Sequence, residues 1–398
     1  MDAYVLEWVN LLLRWAHVIT GIAWIGASFY FVGLDNSLAP PADEKDKAKG
    51  IGGELWAVHG GGFYHQQKYP VSPTRLPEHL HWSMWESYST WITGFALFTV
   101  LYLYNASTFL IDKTLFDWSP AAAVSTALAF FVAFWLLYDL ICRTLGRGKS
   151  GDMVVGGCVF VLIVFASWLS CHLFAGRAAF LLVGAMVATT MSGNVFFWII
   201  PGQRTVVACI KAGKPVDPVH GQRGKQRSVH NTFFTLPVLF TMMSNHYGFT
   251  YGAKNNWMVL VAIMVAGALI RLSFALRHKA LAYGKPVPWH FAMLGTLVLG
   301  ATIWATKPDA QPVAAAVAPA TFAQVQGIVT QRCVLCHGPA MQSKNVRLDS
   351  AAEIAKHAQA IYQQAVVLKV MPMNNATQIT DDERALLKRW FEAAAAAN

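Results

Sequence analysis

Cys333-Val334-Leu335-Cys336-His337 sets two thiols three positions apart, with an imidazole directly after the second. Covalent haem attachment needs that set: two thiols to reach the two vinyl groups, and a histidine whose ring can turn under the porphyrin to ligate iron. The same cysteines could form a redox disulfide or half of a zinc site. No βαβ pattern surrounds them, however, and no second ligand pair follows. One covalent haem c is expected, held by Cys333 and Cys336 with His337 on the iron. Cys171-His172 repeats the last two letters, but Trp168 stands where the first cysteine would be, so a second c-type haem is not expected. The other cysteines, Cys142, Cys158, Cys171 and Cys209, lie in or beside apolar runs, where cysteine behaves as a small hydrophobe.

A second group of polar residues lies within or beside apolar stretches. His17 is about ten residues into the first of them, near mid-bilayer at ~1.5 Å per residue. An ionisable residue at that depth marks a functional site by default, and its ordinary alternative is a bond to a neighbouring helix. Trp24 follows seven residues on, on the same face. His81, Glu86, His230, Asn231 and His290 fall near one set of span ends, with His81, Trp85 and Tyr88 at i, i+4 and i+7 of an expected helix. They could line one pocket, while Trp82, Trp85 and Trp91 could equally be an interfacial aromatic belt. Gly60-Gly61-Gly62 lacks the Lys-Ser/Thr of a phosphate loop and reads as a flexible loop.

The elements that must position these groups follow from composition. The chain has 398 residues, 55% of them hydrophobic and only 13% charged, which points to a membrane protein. The expected fold is all-α: an eight-span transmembrane bundle followed by a small helical domain. Apolar runs long enough to cross ~30 Å of hydrocarbon lie near 8–32, 84–105, 121–142, 153–174, 178–200, 231–247, 257–276 and 288–306. The first follows Asp2 and Glu7 rather than a basic region, so it reads as a retained span and not a signal peptide. The sixth contains Pro237.

Alternate loops carry seventeen basic residues against three in the others, which puts both termini on the periplasmic side of a bacterial inner membrane. That spread, rather than one basic patch, also argues against nucleic acid as the reason for the net charge of +10. The expected domains are 1–307 in the membrane, 308–320 as a Pro/Ala linker, and 321–398 as a soluble unit. The soluble unit opens with the capping-box pattern Thr321 to Gln324 and closes with another, Thr380 to Glu383, before an apolar face of Leu386, Leu387, Trp390 and Phe391.

This last unit resembles class I cytochromes c: a first helix leading into the haem motif, a later Met-Pro, and a terminal helix. The resemblance makes Met371 the sixth iron ligand, a soft donor suited to an electron carrier. Met373 flanks the same proline and stays open as the alternative.

The whole chain resembles the membrane-bound bacterial urate oxidases, which join an apolar domain to a C-terminal cytochrome c. The likeness is carried by Arg14-Trp15-Ala16-His17-Val18-Ile19-Thr20-Gly21-Ile22-Ala23-Trp24-Ile25-Gly26, by Glu54-Leu55-Trp56-Ala57-Val58-His59-Gly60-Gly61-Gly62-Phe63-Tyr64-His65, and by His81-Trp82-Ser83-Met84-Trp85-Glu86-Ser87-Tyr88. It implies oxidation of urate to 5-hydroxyisourate, with water as oxygen source and the cytochrome as electron acceptor. Soluble cofactor-free uricases use oxygen instead and lend no catalytic residues.

A urate anion calls for aromatic walls, amide and guanidinium donors, and a base for water. Trp24 and Trp85 suit the first need, Gln203, Arg204 and Asn231 the second, and His17, His81, Glu86 and His230 the third. Urate forms in the cytoplasm and the tethered haem lies outside, so the gap must be bridged. A non-covalent haem b ligated by residues such as His17, or a pocket near the outer face beside His172 or His246, would bridge it. The expected partners are urate, lipid and an onward acceptor, either a soluble or membrane cytochrome or a terminal oxidase. A cytochrome-bearing relay or transporter without urate chemistry is the competing class.

Overall fold

The computed structural model describes residues 3–70, 73, 76–146, 151–307 and 320–396. The segment expected to be a Pro/Ala linker lies, from 308 to 319, outside them. Among the longer helices, α1 covers Ala3–Ser37, α2 Trp85–Phe98, α3 Pro120–Leu145, α4 Gly151–Leu173, α5 Gly176–Gly193 and α6 Ile200–Lys211. They are followed by α7 Pro218–Met243, α8 Asn256–Ala282, α9 His290–Ala305, α10 Phe322–Arg332 and α11 Asp381–Ala396.

Among the described residues, five segments are long and apolar enough to cross a membrane: Tyr4–Ser37, Pro120–Leu145, Gly151–Leu173, Gly176–Lys211 and Asn256–Ala282. The other three expected spans are helical too, but shorter or more polar. α9 is apolar over only 16 residues. α7 begins at Pro218, well before the expected start, because Asp217 caps it by accepting from the Val219 N–H at 2.9 Å and proline suits the first helical position. The basic stretch expected as a loop between 200 and 231 is therefore mostly helix, with Arg204 and Lys211 on α6 and Arg223, Lys225 and Arg227 on α7.

The helices run up and down. His17 of α1 meets Thr90 of α2, while Ser37 at the far end of α1 meets His278 near the end of α8. One end of the bundle thus holds the close of α1, the start of α2, α6 and the start of α7. The other holds the close of α2, the start of α5 and the turn that precedes α8. Small residues let helices approach closely: a Cβ on Gly184 would collide with Thr241, and one on Gly193 with the Trp135 indole. Two helices widen into π turns, Thr99–Leu103 after α2 and Asn194–Ile199 between α5 and α6, a distortion that concentrates at functional sites.

Two expectations are corrected. The glycine-rich loop is the turn of an antiparallel hairpin, β1 (Gly53–His59) and β2 (Gly62–Lys68), so the chain is not purely α. Gly60 and Gly61 have φ of 58° and 80°, the left-handed conformations that a two-residue hairpin turn requires. Across the strands Trp56 pairs with His65, their rings stacked at 4.1 Å. Second, His81 does not share a helical face with Trp85 and Tyr88. The Met84 N–H bonds to the Trp82 carbonyl at 3.0 Å, a tight turn that delays the helix until Trp85.

The core of the bundle is one cluster including Phe98, Tyr102, Phe131, Tyr138, Phe174, Phe180 and Leu182. A separate cluster of Val325, Ile328, Val329, Leu348, Ile354 and Leu387 gathers around α10 and α11. Both capping boxes form there: the Gln324 N–H donates to Thr321, and Glu383 closes on Thr380 in both directions. Phe322 and Trp390 pack the two helices together at 6.1 Å between ring centres.

Candidate functional site

A cavity of ≈ 1830 Å³ runs along the inside of the bundle among α1, α2, α5, α6, α7 and α8. Its wall reaches from Lys68, Lys279 and His81 at the hairpin end to Tyr102, Asn245 and His246 at the opposite end. Of the residues nominated from sequence, His17, Trp24, His81, Glu86, Gln203 and Asn231 line it together. His246 also lines it. His172 does not; its Nδ1 bonds to the Trp168 carbonyl one turn back, at 2.7 Å.

Other residues expected at the site stand off this wall. Arg204 is not itself on the wall: it donates towards Met84 Sδ at 3.9 Å and lies over the ring of the wall residue Trp82 at 6.0 Å. Trp85 is 64% exposed and packs edge-on against Tyr88. His230 stands behind the wall with its Nδ1 2.7 Å from the Tyr138 hydroxyl. His290, expected in the same pocket, does not line the cavity and opens α9 against Phe291.

His17 is held by its neighbour helix, as the ordinary alternative requires, with Nδ1 3.1 Å from the Thr90 carbonyl and 3.2 Å from Thr93 Oγ1. Because a carbonyl only accepts, Nδ1 carries the proton in that bond and Nε2 keeps its lone pair. Gly94 makes the fit possible, since a Cβ there would stand 2.7 Å from His17 Cε1. The imidazole is thus a positioned acceptor on the cavity wall.

Asn231 connects the cavity to a buried polar network. Its Oδ1 accepts from Asn194 Nδ2 at 2.9 Å and its Nδ2 donates to the Met191 carbonyl at 3.0 Å. Asn194 also donates to the Tyr138 hydroxyl at 3.0 Å. The residue after Tyr138, Asp139, accepts from Arg227 (2.8 Å), Trp198 Nε1 (2.8 Å) and Arg143 (2.7 Å). Arg227 is buried with its guanidinium over the rings of Tyr138 and Trp198. Tyr138, Asp139, Asn194 and Arg227 were not nominated from sequence. The signal was present for two of them, because Asp139 and Asn194 are polar residues inside expected spans.

Residues 3–307 match the family model described as urate oxidase N-terminal. The chain belongs to this urate oxidase family. No curated protein and no solved structure matches it. The family match covers the whole bundle, and so the cavity and its polar network, but ends before the cysteine motif.

In this urate oxidase-related chain the motif stands at the end of α10. The His337 N–H bonds to the Cys333 carbonyl at 3.0 Å, which closes one tight turn, and both thiols are free. His337 Nδ1 is 3.2 Å from the Val346 carbonyl, so by the same donor logic Nε2 is left as a metal ligand. Burial, with Cys336 nearby, pushes the Cys333 thiol up to about 11. A thiol held neutral is a poor attacking group, which argues against a dithiol redox catalyst. The donor set therefore fits a covalent haem. Met371 and Met373 flank Pro372; the Met371 carbonyl accepts from Arg384 at 2.9 Å, and Met373 Sδ accepts from Arg177 at the start of α5 at 3.6 Å.

Proposed function

We propose that this protein is a membrane-bound urate oxidase that converts urate to 5-hydroxyisourate with water as oxygen source and passes the electrons to its own covalent haem. The carrying observation is the cavity, which draws His17, Trp24, His81, Glu86, Gln203 and Asn231 from five separate segments to one wall within a bundle of the urate oxidase family. In this reading the five long spans, α2, the second half of α7 and α9 make an eight-span bundle in a bacterial inner membrane. The hairpin end is cytoplasmic, and the residues from 321 onward form a periplasmic cytochrome c domain joined through 308–320.

Urate enters from the hairpin end, where it is made. Trp24 supplies an aromatic wall, and the amides of Gln203 and Asn231 donate to the oxo groups. Asn231 is well suited because Asn194 and the Met191 carbonyl fix its orientation. Arg204 stands against Trp82 rather than on the wall itself, so the cations opposite the anion are those on the wall, Lys225 near the entrance and Arg14 further in. Glu86 and His81 at the entrance, or His17 through Nε2, take the proton from the attacking water. Cys333 and Cys336 would hold the haem, and His337 and Met371 would ligate its iron. Arg177 already engages Met373, which favours Met371. When bound, the haem accepts electrons one at a time. A cytochrome or terminal oxidase receives them in turn.

Anaerobic addition of urate to the purified, detergent-solubilised protein tests this. The haem spectrum should turn to the reduced form, and ¹⁸O from labelled water should appear in the product. If urate leaves the haem oxidised while a quinol reduces it, the protein is a relay. A pyridine haemochrome spectrum will show haem c, and haem b as well if His17 ligates a second group.

A further inference from the structure

The cavity and the C-terminal unit meet at the end of the bundle away from the hairpin. Beneath this meeting point is a column of rings, all on the cavity wall. Trp91 stacks on Phe95 (5.2 Å, 11°), Phe95 meets Phe131 (6.1 Å), Phe131 meets Phe98 (5.5 Å), and Phe98 stacks on Tyr102 (5.4 Å, 13°). Trp91 to Tyr102 spans about 16 Å of helix rise at ~1.5 Å per residue. Tyr102 lies in the π turn, with Arg177 against its hydroxyl. The same guanidinium reaches Met373 Sδ at 3.6 Å, and its Nε is buried with no partner of its own.

Beside Arg177 the seat is shaped by a glycine. A Cβ on Gly248 would collide with Val370 Cγ1, although the backbone there is open to any residue. The short turn Met373–Asn375 rests on the helix Ala106–Phe109, whose Phe109 ring lies 6.0 Å from Tyr102. The methionine loop therefore sits over the last ring of the column.

We propose that this is the electron exit of the bundle. Arg177 and the Gly248 notch seat the Met371–Met373 loop over Tyr102, and the rings from Trp91 to Tyr102 carry charge from a substrate oxidised in the cavity. The proposal rests on the urate-oxidising reading. Each urate takes up one water and loses two electrons and two protons. The electrons cross the column singly to the acceptor held by Cys333, Cys336 and His337, and an onward one-electron oxidant recovers it between transfers. The protons pass to the cavity bases and to water. The column itself is left unchanged.

Gly248→Val displaces Val370 and so lifts the loop while replacing no residue of the cavity wall or of the set that would hold the haem. In stopped flow, haem reduction by urate should slow by about tenfold or more, while reduction by ascorbate from solution keeps the wild-type rate. Hydrogen exchange of the 364–375 amides should rise, a readout independent of turnover. Arg177→Gln removes a cation that favours the reduced iron, so the midpoint potential should fall, with Arg177→Lys retaining most of it. Wild-type rates and potentials in all three variants would overturn the exit. If wild-type protein itself is not reduced by urate, the urate reading fails instead, and the potential and exchange shifts alone decide whether the seat exists.

Discussion

Asp139 shows what a single residue must do inside an apolar helix. A carboxylate buried among α3, the Asn194–Ile199 π turn and α7 is tolerated because three donors surround it, from Arg143, Trp198 and Arg227. The dependence is mutual, since Arg227 is 3% exposed and Asp139 is its only ion partner among the described residues. Asp139→Ala strands a buried guanidinium and should cost about 3–5 kcal/mol, read as a lower unfolding midpoint in detergent. An Asp139→Leu/Arg227→Met pair should recover much of that loss, because removing both charges lifts the penalty of leaving one alone. Recovery no better than in the single variant would mean that the pair does not act as a unit. The charge pattern by itself hid this partnership. Arg227 reads as one of seventeen loop cations until Asp217 and Pro218 are seen to start a helix that carries it inward. Asn231, in contrast, was legible as a polar residue at a span end, and it lies on the cavity wall.

At the scale of elements, the hairpin is the part that hydrophobic periodicity missed. Its strands are short and its signal lies in two glycines whose backbone conformation, rather than side chain, sets the turn. Its base is tied by Glu54, whose carboxylate accepts from the Ala42 N–H at 3.0 Å and from His65 Nε2 at 2.9 Å. Those two bonds hold the Glu54 carboxyl below its ordinary range. A group depressed on folding contributes stability that is present above its unfolded pKa and is lost as pH falls through the depressed value. Hydrogen-exchange protection across Gly53–Lys68, corrected for intrinsic rates, should therefore fall on acidification below the ordinary carboxylate range. Glu54→Gln should remove that pH dependence and give weaker protection throughout. A wild-type hairpin with flat protection down to the acid limit of the fold would show that Glu54 does not tie it. Cap chemistry, by contrast, was readable in full for α10 and α11, because a Thr with Gln or Glu three residues later is a local pattern that packing does not override.

On the scale of the whole molecule, two independent features bear on orientation. Loop charge places Lys45, Lys47, Lys49, Lys68 and Arg204 at the hairpin end, and basic residues are retained on the cytoplasmic side. Packing places the segment around Val370 and Met373 against Gly248 and Arg177 at the other end, and the haem c proposed for the adjoining motif would be attached outside the cytoplasm. With an even number of crossings the two requirements are compatible; with an odd number both termini could not lie on one side. The three helices that fall short of a full apolar span, α2, α7 and α9, are thus the ones on which the topology depends. α2 gains length from its π turn, α7 would cross only with its second half, and α9 has 16 residues. A helix of that length rises about 24 Å at ~1.5 Å per residue, close enough to the hydrocarbon thickness for modest local thinning to accommodate it. Alkaline phosphatase fused after Asn398 should be active, whereas the same reporter inserted between Gly60 and Gly61 should be silent and a cytoplasmic reporter there active. Fusions at Lys285, between α8 and α9, should behave like the hairpin insertion if α9 crosses. Active phosphatase both at Lys285 and after Asn398 would remove α9 from the membrane, and the eight-span count with it.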